Sequence, residues 1–100
     1  VPHQACVVHF SRYVDMSIPK SKKSIYYQEN SLLRDTVNNI LFAQSFNDAE
    51  ETFQRLLSAR NSFKAQYHKR IIKSLERHFD LLTAHFHNLF LVREMLQRTL

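Results

Sequence analysis

The feature that most limits how this chain can fold is the complete absence of glycine from its 100 residues. Only two prolines are present, Pro2 and Pro19. Hairpins and tight β-turns rely on glycine for positive backbone angles, and an all-β fold needs such turns between most of its strands. The same absence excludes glycine-rich loops that wrap around phosphate groups. The sequence therefore predicts a mainly α-helical fold.

Apolar residues supply the core of such a fold. Hydrophobic residues make up 44% of the chain, with eight Phe and four Tyr. A chain of this size buries roughly 60–65% of its unfolded surface, which is enough for one modest core. We predict one domain over residues 1–100, built as a small bundle of three to four helices with one short N-terminal strand or extended segment. Because the chain begins at Val1, we expect it to be a fragment of a larger protein.

The cellular setting follows from the single cysteine and the lengths of the apolar runs. Cys6 has no second cysteine to pair with, which favours a reducing, cytoplasmic location. The uninterrupted apolar runs are far shorter than the ~20 residues that a membrane-spanning helix needs. No signal peptide precedes them. The sequence therefore predicts no membrane association.

Hydrophobic spacing divides the first half of the chain into helical segments. Residues 4–10 predict either a short buried strand or the first turn of a helix, and residues 9–16 a short helix. A polar basic connector follows. Ser24 is the predicted N-cap of a second helix that runs to about Gln44. The apolar stripe of that helix is Tyr26, Leu33, Val37, Ile40 and Leu41.

The second half contains two apolar stripes that are out of phase. Asn47 and Glu50 have the spacing of a capping box and predict the start of a third helix. The stripes are Ala49, Phe53, Leu56, Arg60, Phe63 and Tyr67, then Ile72, Leu75, Phe79, Leu82, Phe86 and Leu89. The step between them is five residues, so one straight helix cannot keep both on one face. We predict a break near residues 64–69 and a last helical segment over residues 92–100.

Two sets of residues are candidates for metal binding. Cys6 and His9 stand three apart and would share one face of a helix. They form either part of a metal site or a buried cysteine beside a hydrogen-bonded histidine, and zinc would need about four ligands. The other candidates, which also fit the rim of a helix interface, are His78, His85 and His87.

The positive charge of the chain, +5 with neutral histidines, suits a polyanionic partner. Lys69, Lys73 and Arg77 are spaced by four and fall roughly opposite the apolar face of their helix. They form either a phosphate-contacting stripe or an ordinary solvated face. The connector cations Lys20, Lys22 and Lys23 leave the same two alternatives open. No catalytic triad, P-loop or paired metal motif accompanies them.

The opening of the chain resembles a segment of the DDE transposases, which have an RNase H-like catalytic core. The likeness is to the Mutator-type group and related bacterial insertion-sequence enzymes, and its motif is Gln4-x-Cys6-x-x-His9-x-x-Arg12. Tyr13 stands where that family often has Asn. An acidic helix start, a tyrosine-centred break and an aromatic-rich helix follow in the family's order, at residues 47–51, 64–67 and 75–86. His68 replaces the family's usual proline.

The resemblance implies that this chain is the helical insertion of a mobile-element enzyme, lying between the second catalytic aspartate and the last catalytic glutamate. The family cleaves and transfers DNA strands using paired Mg²⁺ ions held by carboxylates. This chain alone would hold no metal and be catalytically incomplete, with Cys6 and His9 as supports near the active site. The expected DNA contacts are Arg12, Lys20, Lys22, Lys23, Lys69, Lys73 and Arg77.

A protein of another class also fits the sequence. The stripe from Ile72 to Leu89 has heptad-like spacing and could form a contact between helices of two chains. The alternative is therefore a small all-helical protein–protein interaction module with no nucleic-acid role. Association of identical chains through their helices is compatible with either interpretation.

Overall fold

Four α-helices form the described part of the chain. The computed structural model describes residues 2–84 and 86, with the side chains of residues 7–84 and 86. The helices are α1 (Pro2–Ser17), α2 (Tyr27–Leu41), α3 (Phe46–Ser58) and α4 (Gln66–Leu82), with one 3₁₀ turn (Arg60–Ser62) between α3 and α4. No strand occurs in these residues, and the predicted bundle of three to four helices is confirmed. The predicted helical segment at residues 92–100 lies outside the described residues.

The N-terminal segment is helical. Residues 4–10 belong to α1, so the helical alternative is observed and the strand alternative is wrong. An isolated strand would leave its backbone N–H and C=O groups unpaired, whereas a helix pairs them within the segment. Val7 and Phe10 of this segment are buried, and the buried residues Val14 and Ile18 continue the same helical spacing along α1 and directly after it.

Helix α2 begins three residues later than Ser24, the predicted cap. Its N-cap is Tyr26, which makes no side-chain capping bond. Ser24 shapes the preceding turn instead, because its Oγ accepts from the Tyr26 N–H at 3.2 Å and its carbonyl accepts from the Tyr27 N–H at 3.1 Å. The helix ends at Leu41, before the predicted end at Gln44.

Helix α3 is capped by Ser45 rather than by Asn47. The Ser45 backbone is extended, and its Oγ accepts from the Asp48 N–H at 3.2 Å. Asn47 is therefore an exposed residue of the first turn. The acidic residues predicted at this helix start, Asp48 among them, do lie in or next to that turn, where the helix dipole favours negative charge.

Replacing Ser45 with alanine is expected to lower the free energy of unfolding by about 1 kcal/mol, because the Asp48 N–H loses its partner. Denaturant unfolding followed by circular dichroism measures the loss. Asn47→Ala is the matched control and should change stability little. A larger loss from the Asn47 variant would mean that Asn47, as predicted from the sequence, caps the helix.

The predicted break between the two apolar stripes is confirmed, although it starts earlier than residues 64–69. Helix α3 ends at Ser58 and α4 begins at Gln66. Phe63 and Ala65 are buried within this break, while Arg60 is exposed. The turn between α3 and α4 therefore changes the direction in which the second apolar stripe faces, so that both stripes face one core.

The core lies between α1, α2, α3 and α4. Its centre is formed by residues with no exposed surface, among them Val14, Leu33, Val37, Ile40, Ile71 and Leu75. The rings of Phe53 and Phe79 stack with centroids 4.1 Å apart and planes 10° apart, which joins α3 to α4. The stripe from Ile72 to Leu82 is buried in this core. It is therefore not the exposed heptad face that the interaction-module alternative required; Leu89 lies outside the described residues.

Candidate nucleic-acid interface

The basic stripe of α4 lies on the solvent side of the bundle. Lys69, Lys73 and Arg77 are all exposed, and the opposite face of the helix carries the buried residues His68, Ile71, Ile72, Leu75 and Phe79. Within the described residues, none of the three cations forms an ion pair. Their spacing of four residues places them about 6 Å apart along the helix axis. The predicted stripe is thus one continuous exposed line of positive charge.

Other charged residues border this stripe. Arg70 is also exposed, close to Arg77 in angle around the helix. Glu76 flanks the opposite side, and its Oε2 lies 3.8 Å from Nη1 of Arg60 in the 3₁₀ turn. A cleft of about 430 Å³ between that turn and α4 is lined by Arg60, Asn61, Lys69, Ile72, Lys73 and Glu76. Lys69 and Lys73 line the same cleft as Glu76, and neither forms an ion pair with a described residue.

The predicted DNA contacts outside α4 fall into two kinds. Lys22 and Lys23 are exposed, with no ion-pair partner in the described part of the chain. Lys20 is paired instead, because its Nζ lies 3.3 Å from Oδ2 of Asp15. Arg12 is exposed on α1. Arg12 forms no ion pair with a described residue.

The motif residues Cys6 and His9 both lie on α1, and the side chain of His9 is among those described. His9 is exposed and lines an apolar groove of about 350 Å³ between α1 and α4, together with Phe10, Tyr13, Ser74, His78, Leu81 and Leu82. His78 donates from Nδ1 to the Ser74 carbonyl at 2.9 Å, as expected for a histidine at a helix rim. The side chain of Cys6, and both His85 and His87, lie outside the described residues.

No group of three or more metal-ligating side chains occurs among residues 7–84 and 86, whose side chains the structure describes. Asp15, for example, lies within 3.4 Å of the Arg34 guanidinium as well as pairing with Lys20. The remaining described aspartates, Asp35, Asp48 and Asp80, are spread over α2, α3 and α4. The four described aspartates therefore belong to four different helices.

A buried polar cluster, absent from the sequence-based site, joins α2 to the start of α4. Asn30 and His68 are almost wholly buried, with 1% and 0% of their surfaces exposed. The Asn30 Oδ1 accepts from the Tyr67 hydroxyl at 2.9 Å and from the His68 Nε2 at 2.5 Å. Both buried residues occupy core-facing positions, Asn30 three residues before Leu33 and His68 three before Ile71. Polar residues at core-facing positions of two helices are the sequence signal that could have indicated this buried cluster.

Burial favours the neutral form of His68. It lowers the pKa of His68 from the ordinary value of 6.5, and the negative charge of Glu29 opposes this shift in part. Because Nε2 carries the proton donated to Asn30, Nδ1 is the unprotonated nitrogen, and it is buried with no hydrogen-bond partner. Three rings, those of Tyr26, Phe63 and Tyr67, approach the imidazole edge-on. A proton on Nδ1 would find no acceptor in this pocket.

No family model matches this chain, and no curated protein or solved structure is significantly similar to it. The described helices include none with the length and apolar character needed to cross a bilayer.

Proposed function

We propose that this chain is the helical insertion of a DDE transposase and that it contacts the DNA backbone through the exposed cations of α4. The motif at Cys6 and His9, followed by the family's order of helices, supports the membership. By that resemblance the chain lies between the second catalytic aspartate and the last catalytic glutamate, so it is catalytically incomplete by itself and the Mg²⁺ pair is held elsewhere in the parent enzyme. We also propose that the protein is located in the cytoplasm.

The observation that carries the DNA contact is the line of three exposed, unpaired cations at Lys69, Lys73 and Arg77. The line is about 12 Å long, from the rise of about 1.5 Å per residue. Each DNA strand carries one negative charge per about 3.4 Å of helix axis, so a line of this length meets more than one phosphate. Phosphate contacts of this kind position a protein on DNA without reading its sequence. We therefore expect binding that depends on salt and little on base sequence.

The combined variant Lys69→Gln/Lys73→Gln/Arg77→Gln is expected to bind a fluorescent duplex of mixed sequence more weakly than the unaltered chain. Each lost phosphate contact should reduce the slope of log affinity against log salt by about 1, so the slope should fall by about 3. Fluorescence anisotropy over a series of NaCl concentrations measures both quantities. Absence of binding by the unaltered chain at low salt would contradict the proposal.

A pair of single variants separates a local contact from a change in net charge. Arg77→Gln and Arg55→Gln each remove one exposed arginine from a helix. The Arg55 guanidinium lies on α3, 2.9 Å from the Glu51 carboxylate, away from the proposed face. Only Arg77→Gln should reduce the slope of log affinity against log salt, called the salt slope below. Equal reductions would indicate general electrostatic attraction with no defined face.

The alternative of a protein–protein interaction module would need a surface other than the buried Ile72–Leu82 stripe. Sedimentation of the unaltered chain at several concentrations tests self-association. Dimerisation that the three α4 substitutions leave unchanged, together with no DNA binding, would support that alternative over the proposed function.

A further inference from the structure

The connector between α1 and α2 is fastened to the start of α4. The Asn30 Nδ2 donates to the Pro19 carbonyl and to the Ser24 Oγ, each at 3.4 Å. The Oδ1 of the same side chain accepts from Tyr67 and His68 on α4. One buried amide therefore bonds to both ends of the connector and to the first turn of α4, and Asn30 itself is 38 residues from His68 in the sequence.

The connector itself forms a compact turn that exposes its lysines. The Ser24 N–H donates to the Ser21 carbonyl at 3.2 Å, and the Lys23 N–H donates to the Ser21 Oγ at 3.1 Å. Lys22 and Lys23 lie in this turn and are exposed. At the start of the connector, the Arg34 guanidinium donates to the Ile18 carbonyl at 3.2 Å. These bonds fix where the two lysines leave the bundle.

This end of the bundle is rich in unpaired positive charge. Five exposed cations there have no ion-pair partner among the described residues: Lys22, Lys23, Lys64, Lys69 and Arg70. The acidic residues of the adjoining segments are Glu29, which is half-buried, and Asp15, which is exposed and already paired with Lys20 and Arg34. An excess of exposed positive charge at one end of a domain favours the binding of a polyanion there.

We propose that the connector lysines and the first two turns of α4 form one surface that binds the phosphate backbone of duplex DNA, and that Asn30 is the residue that positions the connector in it. This inference rests on the proposed function, because it extends the α4 stripe onto a second segment of the chain. Lys22 and Lys23 belong to a connector far from α4 in the sequence. The Asn30 bonds bring that loop to the same end of the bundle.

The first test is the variant Lys22→Gln/Lys23→Gln in the duplex titration over a series of NaCl concentrations. Both side chains are exposed, so the fold should be retained. The salt slope should fall by about 2, one for each lost phosphate contact. If the α4 substitutions weaken binding while this variant binds as the unaltered chain does, the extended surface is wrong and the proposed function stands. If the unaltered chain does not bind at low salt, both fail.

The second test asks whether Asn30 acts through the connector. Asn30→Ala should weaken binding in the unaltered background but cause little further loss in the Lys22→Gln/Lys23→Gln background. A merely structural role would give additive losses in the two backgrounds. Asn38→Ala is the matched control, because Asn38 accepts from Ser11 at 3.0 Å and joins α2 to α1 with no bond to the connector. It should leave binding unchanged.

A milder variant keeps the second test decisive if Asn30→Ala does not fold. Ser24→Ala removes the hydroxyl that accepts from Asn30 and from the Tyr26 N–H, while leaving the buried cluster on α4 intact. It should speed amide exchange within residues 20–26 and reduce the salt slope in the same direction as Lys22→Gln/Lys23→Gln. Faster exchange with an unchanged slope would overturn the positioning role.

Discussion

Replacing Phe79 with alanine is expected to lower the free energy of unfolding by about 3–5 kcal/mol, the usual cost of removing a buried aromatic ring. The Phe79 side chain is 8% exposed, stacks on Phe53 and lies 6.2 Å from the Phe46 ring, centroid to centroid. Its removal would open a cavity where α3 meets α4. Since small domains are stabilised by about 5–15 kcal/mol in total, this variant should be close to unfolding at room temperature.

Urea unfolding followed by circular dichroism measures this loss. Leu81→Ala, two residues along the same helix, is the control, because Leu81 is 48% exposed and should lose much less. Comparable losses from the two variants would contradict the assignment of Phe79 to the core. They would also remove the reason for the break between α3 and α4, which exists to bring both stripes onto one core.

Acidification is expected to destabilise the chain through His68. Burial lowers the pKa of His68 below 6.5 in the folded state, whereas the unfolded chain keeps the ordinary value. Between these two values the unfolded state binds a proton that the folded state does not, so stability falls as the pH is lowered from 6.5 towards the folded pKa. Above 6.5 the contribution is fully present. One proton limits the slope to about 1.4 kcal/mol per pH unit.

The contribution of His68 is isolated by comparing stability against pH in two variants. His68→Gln keeps an N–H that can reach Asn30 but cannot take up a proton, so this part of the pH dependence should disappear. His78→Gln removes an exposed histidine, and this variant should keep the same loss of stability on acidification as the unaltered chain. A His68→Gln variant with the same acid-induced loss as the unaltered chain would show that another group is responsible.

The candidate site was predicted in part. The spacing of Lys69, Lys73 and Arg77 was sufficient to place them on the exposed face of α4, because a helix fixes the angles of its own residues. The same argument could not relate Lys22 and Lys23 to α4, since their relation depends on hydrogen bonds made by Asn30 across the bundle. Lys20 differs from Lys22 and Lys23 because it forms an ion pair with Asp15 of the preceding helix, which local spacing does not predict.

The sequence by itself determined the helical class, the core-facing stripes and the break between them, because these follow from missing glycine and from spacing along one segment. Only the tertiary structure decided the rest. It made residues 4–10 helical, gave the cap of α3 to Ser45 and turned the Ile72–Leu82 stripe inward. Above all, it paired Asn30 with Tyr67 and His68, a contact between segments whose sequences carry no record of each other's position. Such contacts depend on how helices pack, which local periodicity does not encode.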